Sequence, residues 1–232
     1  MASGSFFAEL CDENAALHHI GLGHPMLRGI GAGSLPDETF RFYLEQDYQF
    51  LVRYVRVIAQ AVAAAPDLPT STQLANLLHG TLAVEIDALV ALYASFGGEA
   101  VSLSHVAPAP GCQAYTDHLL ASAASGNLLV VLAAILPCQW GYREIGRKLL
   151  SQGLPEDTRF ARWIQEYASD EYGELVDWAI ERFDALAVEE GVLARQRARE
   201  VFALSTRYEL GFWEMAWTAQ AWERATAPAP RS

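Results

Sequence analysis

Cysteine is scarce in this chain and scattered where it occurs. Cys11, Cys112 and Cys138 are the three in 232 residues, and no two form a C-x-x-C pair. So few, odd in number and far apart, they exclude a disulfide framework and a structural zinc site, and they predict a reducing, cytoplasmic setting. Basic residues are also in short supply: 16 Lys and Arg stand against 28 Asp and Glu, a formal charge of -12. A surface that acidic repels phosphate backbones and anionic headgroups, so neither nucleic acid nor membrane is expected as a partner. The longest apolar run, Leu128 to Cys138, is far short of the ~20 residues that span a bilayer. No basic segment followed by an apolar stretch opens the chain, so no secretory signal is expected.

Chemistry-bearing motifs are missing as well. Neither G-x-x-x-x-G-K-[ST] nor G-x-G-x-x-G occurs, so phosphate cradles of those kinds are unsupported. No Glu-x-x-His pair is present, which speaks against a di-iron bundle. His18, His19 and His24 cluster, but neighbouring helical residues point about 100° apart, and no metal site is expected. Alternating strand-like runs bounded by turn pairs are absent too.

Present instead is apolar residue at helical spacing, in a chain that is 52% hydrophobic and 11% aromatic. The pattern predicts helices at about 4–19, 36–65, 70–96, 112–123, 127–151, 156–168, 170–189 and 192–224, with a short turn near 26–30. Gly21, Gly23 and Pro25, then Pro66 and Pro69, Gly97 and Gly98, and a loop over 106–111 punctuate them. No repeat or shift in composition divides the chain. The expectation is all-α: a single-domain bundle of roughly seven or eight helices over 1–224, with a frayed, flexible tail over 225–232.

Three polar groups sit on faces meant for the core. Asp47 shares the stripe of Phe40, Tyr43, Leu44, Leu51 and Tyr54. Glu209 shares that of Phe202, Ser205, Phe212 and Trp213. A carboxylate there is costly unless partnered, and burial raises its pKa towards what a general acid/base needs near neutrality. Cys138 follows Pro137 on the face of Val131, Ile135, Tyr142, Ile145 and Leu149. Pro137 has no N–H for the Ala133 carbonyl, which predicts a kink and room beside the thiol. Each residue also has a plain structural reading: a packing cysteine, or acids in internal salt bridges. Taken together they read as one site inside a bundle, where ligand pockets commonly lie.

His24-Pro25, Gly31 through Pro36, Gln46-Asp47, Tyr115-Thr116-Asp117-His118, Ser125-Gly126-Asn127, Leu136-Pro137-Cys138 and Tyr208 through Trp213 occur in this order over nearly the whole chain. In this set the chain resembles the thiaminase II (TenA) family, in its cysteine-containing branch. The resemblance implies a haem-oxygenase-like helical fold without haem, a homotetramer, and hydrolysis of an aminopyrimidine in thiamin salvage. The substrate would be thiamin or its aminomethyl-pyrimidine breakdown product, and the product hydroxymethyl pyrimidine. It further implies Cys138 as nucleophile and Glu209 as acid/base. Asp47 would hold the exocyclic amine and its neighbouring ring nitrogen, with Tyr115, Tyr142 and Tyr167 as lining phenols. No metal or redox cofactor is implied. Two positions depart from the pattern: Phe50 stands in the pocket set where tyrosine is frequent, and Val90 where histidine is common. Two other readings stay open: a small-aromatic-ligand binding or regulatory protein of the same fold, and a cofactor-free oxygenase, the latter disfavoured by the acidic charge.

Overall fold

The structure is a computed structural model and describes residues 4–223. The chain folds into helices α1 (Phe6–Glu13), α2 (Ala15–Leu22), α3 (Pro25–Ala32), α4 (Asp37–Ala64), α5 (Leu68–Gly80), a π-helical segment (Thr81–Glu85), α6 (Ile86–Ser95), α7 (Ala100–Leu103), α8 (Pro110–Ala123), α9 (Leu128–Ser151), α10 (Thr158–Tyr167), α11 (Asp170–Glu189) and α12 (Val192–Trp217). The described residues contain no strand, as the missing alternation predicts.

Helix α9 is the axis. It packs against α12, α11, α10, α8 and α4, and every residue from Leu128 to Pro137 is buried. Over Leu128–Pro137 the helix is apolar all round because protein surrounds it, wider than the single face expected there, whereas its second half carries Arg143, Glu144, Arg147 and Lys148 beside the apolar face. It starts at a cap in which the Asn127 side chain accepts from the Val130 N–H at 3.1 Å. The helical assignment runs through Pro137 to Ser151. Gly146 lets α10 lie against it, since a Cβ there would sit 2.7 Å from the Tyr167 carbonyl carbon. That close approach brings Tyr167 beside Tyr142, ring centroids 4.7 Å apart.

Local chemistry explains the remaining punctuation. His24 caps α3 by accepting from the Met26 N–H, with Pro25 in the first turn. Gly33 ends that helix at φ 64°, a left-handed conformation that costs glycine little. Three boundaries differ from expectation. The first predicted helix breaks at Asn14, whose side chain amide donates to the Leu10 carbonyl at 2.8 Å and competes with the helical ladder. The helix predicted over 70–96 contains the π segment, which hydropathy cannot reveal. The last helix stops at Trp217 and not near 224. There Ala219 turns left-handed (φ 49°), and Gln220 and Trp222 instead bind the 106–111 loop through Gly111 N–H and the Pro108 carbonyl. The expected tail over 225–232 lies outside the described residues.

Two helical stretches, Leu68–Ser95 and Leu128–Ser151, are long and apolar enough to cross a membrane by length and composition, and the second has 83% of its apolar window buried in the protein.

Candidate active site

A cavity of about 250 Å³ opens between α4, the π segment, α9, α10 and α11. Helix α4 supplies Asp47, Phe50 and Tyr54, spaced so that all point the same way; α9 supplies Cys138, Gln139 and Tyr142; α10 supplies Tyr167 and α11 Tyr172. Helices α8 and α12 close the site from behind. Tyr115 on α8 donates its hydroxyl to Glu209 Oε1 on α12 at 2.5 Å, and the Glu209 carboxyl is within hydrogen-bonding reach of the Cys138 thiol. Glu209 and Tyr115 are thus not wall residues of the main cavity. They reach it through the sulfur. The Tyr115 ring is fixed between Tyr208, stacked at 5.4 Å, and Phe50, tilted at 5.2 Å.

Electrostatics follow from this dry setting. Burial raises Glu209 to about 7, while the hydrogen bonds from Tyr115 and Cys138 pull it partly back. Asp47 is held well above the usual carboxylate range, first by burial, then by the charge of Glu85, against a hydrogen bond from Tyr43. Cys138 is raised well above an ordinary thiol, by burial and then by Glu209, Asp47 and Glu85. The resting sulfur is therefore a protonated thiol that needs a base, and the group in reach is Glu209.

The other motif residues turn out to have structural work. Gln46 accepts from the Ala109 N–H at 2.6 Å and takes the Cys112 thiol on its carbonyl at 3.4 Å, which ties the 106–111 loop to α4. Asp117 pairs with Arg53 at 2.6 Å. His118 bonds Ser205 at 2.9 Å. His18 stacks on Trp140 at 4.1 Å, with burial lowering its pKa. Val90, on α6, packs on the core and does not line the cavity, whereas Phe50 does. Among the described residues no group of three or more His, Cys, Asp or Glu is arranged to hold a metal.

Sequence reasoning missed Glu85, Tyr54 and Gln139. Glu85 lines the cavity from the π segment, and burial raises it to about 7 against a hydrogen bond from Thr81. Its signal is the π turn, which sequence periodicity does not show. Tyr54 falls on the α4 stripe and reads as core. Its hydroxyl is buried within hydrogen-bonding reach of the buried Gln139 side chain.

A family model described as the TENA/THI-4/PQQC family matches residues 11–219. The chain belongs to this family. An aminopyrimidine aminohydrolase of Halalkalibacterium halodurans is 38% identical over 223 residues, covering 94% of this chain and 98% of the relative. Among solved structures, a TenA homologue from P. horikoshii OT3 superposes with a TM-score of 0.85 at 29% identity, covering 92% of this chain and 99% of the other. A domain of unknown function with a heme oxygenase-like fold from Shewanella denitrificans reaches a TM-score of 0.64 at 13% identity, with 92% of each chain covered, a likeness of fold alone. The TENA/THI-4/PQQC fold is thus the heme-oxygenase-like bundle expected from the sequence.

Proposed function

We propose that this chain hydrolyses an aminopyrimidine, as a thiaminase II-type enzyme of the cysteine-containing branch working in thiamin salvage. The observation that carries the reading is the chain of contacts from Tyr115 to Glu209 to Cys138, set against a cavity whose other side presents Asp47. The names of the relatives support the same substrate class.

The geometry suits a flat donor–acceptor heterocycle. An acid held protonated, as burial favours for Asp47, gives its O–H to a ring nitrogen and accepts from the adjacent exocyclic amine. Tyr142, Tyr167 and Phe50 offer aromatic faces for the ring. Glu209 takes the thiol proton as the sulfur bonds to a ring carbon, then passes it to the ring nitrogen that gains the electron pair. Aromaticity is lost in this step, so the proton must arrive as charge develops. Electrons from the ring amine then expel the leaving group from the exocyclic methylene, which departs with its bonding pair. A water oxygen bonds to that carbon and gives up a proton to the departed amine. Sulfur leaves as the ring nitrogen's proton returns through Glu209, and the thiol is restored.

Mass spectrometry of products after incubation with thiamin and with aminomethyl pyrimidine, side by side, tests this. Hydroxymethyl pyrimidine from either supports the reading. Thermal stabilisation by both ligands without product would favour a binding protein and overturn it.

Three free cysteines support the cytoplasmic, reducing setting. A homotetramer is part of the same proposal. The Leu68–Ser95 stretch has only 28% of its most apolar window buried, which suits coverage by a second copy. Light scattering at low concentration reads the state directly, and a monomer would contradict it.

A further inference from the structure

Glu85 has no part in the chemistry above, yet it projects into the same cavity. It sits on the last residue of the π segment, a distortion that recurs at functional sites because it re-aims a side chain. Its hydrogen bond comes from Thr81, on its own segment, and no ion pair with Arg or Lys is formed by it among the described residues. Arg162 borders a smaller recess that Glu85 and Asp47 also touch, without pairing to either. The main cavity wall carries Asp47, Glu85, Glu166 and Glu171 and no lysine, arginine or histidine.

A second, independent observation concerns neutral groups. Tyr54 and Gln139 are 4% and 3% exposed, line the cavity, and lie within hydrogen-bonding reach of each other, so each keeps spare acceptor capacity towards the cavity. Tyr54 lies near enough to both Cys138 and Glu85 for their charges to act on it. A carboxyl, an amide oxygen and a phenol around one space make a set of acceptors matched to a group rich in N–H and positive charge.

We propose that Glu85 is a specificity-determining residue that binds the positively charged leaving-group end of the substrate, an ammonium or a quaternary ring nitrogen, with Tyr54 and Gln139 completing the acceptor set. The assignment rests on the aminopyrimidine reading. Asp47 holds the amine edge of the ring, Cys138 and Glu209 serve the reacting carbon, and Glu85 is the remaining acid of the wall that is not exposed to solvent, being half-buried. The same wall disfavours substrates esterified with phosphate at that end, because Glu166 and Glu171, exposed beside it, repel an anion.

A matched pair of ligands tests this: aminomethyl pyrimidine, an ammonium at neutral pH, and hydroxymethyl pyrimidine, its neutral counterpart. Binding is measured by calorimetry on Cys138→Ala, with and without Glu85→Gln. The amine should bind at least about tenfold more tightly than the alcohol when Glu85 is present. Glu85→Gln should remove that preference and leave the alcohol within about twofold, with Glu85→Asp restoring part of it. An unchanged preference, or equal loss for both ligands, overturns the assignment. If Glu85→Gln fails to fold, thiamin and thiamin monophosphate are compared on the unaltered chain as competitors for turnover. The ester should be at least about tenfold weaker, and equal potency overturns the proposal. If neither pyrimidine binds even the chain with native Glu85 and Cys138, the aminopyrimidine reading falls and takes this assignment with it.

Discussion

Two apolar helical stretches both line the cavity and meet different fates. Leu128–Ser151 has 83% of its most apolar window buried; Leu68–Ser95 has 28%. The first is buried on all sides over Leu128–Pro137 and carries Cys138 directly after that stretch. The second is covered by protein on one side, leaves Leu82 50% and Val84 59% exposed, and carries Glu85 on a π turn. In the proposed reading the reaction chemistry falls on the more deeply buried wall, where a sulfur must meet a ring carbon within a fraction of an ångström. The proposed recognition of the leaving group by Glu85 falls on the wall with fewer packed neighbours. Apolarity alone does not distinguish them; their neighbours do.

The contrast can be broken at several strengths. Glu209→Gln should lower kcat by about 10²–10⁴-fold, since a positioned acid/base is worth that much, while binding of hydroxymethyl pyrimidine persists; steady-state rates and calorimetry check both. Intact kcat would remove Glu209 from the chemistry. Next is stability. Leu132→Ala on the buried wall should cost about 2–5 kcal/mol, and Leu82→Ala within about 0.5 kcal/mol in the dissociated subunit, by denaturant unfolding of samples dilute enough to dissociate the proposed tetramer. Equal losses in the dissociated subunit would mean that the two walls are equally restrained.

A third effect is smaller and concerns pH. Glu85 and Glu209 are each raised in the folded protein from 4.5 to about 7. Between those values the folded state binds more protons than the unfolded state. Their contribution to stability is therefore full below about 4.5 and lost as pH rises through about 7. Glu85→Gln and Glu209→Gln should each raise the melting temperature at pH 7.5 relative to the parent more than at pH 4.5. A parallel offset at both pH values would contradict the burial-driven shifts. The rising limb of kcat/KM, which needs ionised Glu209 to accept the thiol proton, should have its midpoint near pH 7; a midpoint near 4.5 would say that Glu209 is solvated in the working enzyme.

Much of this was legible before any coordinates. Asp47, Glu209 and Cys138 stand out because each breaks an apolar stripe, and a polar group on a core face needs a partner or a purpose. Tyr142, Tyr167 and Phe50 line the cavity as expected. The helical class and most boundaries follow from periodicity and from Pro and Gly placement. Other features were hidden for physical reasons. A π turn adds one residue within a helix, so Glu85 falls off the 3.6 pattern that identified the others. Tyr54 looks like core because one stripe serves both packed interior and cavity wall. The role of Tyr115 as a hydrogen-bond donor behind the sulfur depends on α8 meeting α12, a tertiary fact. The stop at Trp217 depends on Gln220 and Trp222 finding the distant 106–111 loop.

The most direct measurement is turnover of aminomethyl pyrimidine by the native chain and by Cys138→Ala, in samples shown to bind hydroxymethyl pyrimidine equally well. The expected result is hydroxymethyl pyrimidine and ammonia from the native chain, and a rate at least about 10³-fold lower from the variant. Comparable turnover by both would contradict a route through the sulfur, and absence of product from the native chain would contradict hydrolysis of this substrate.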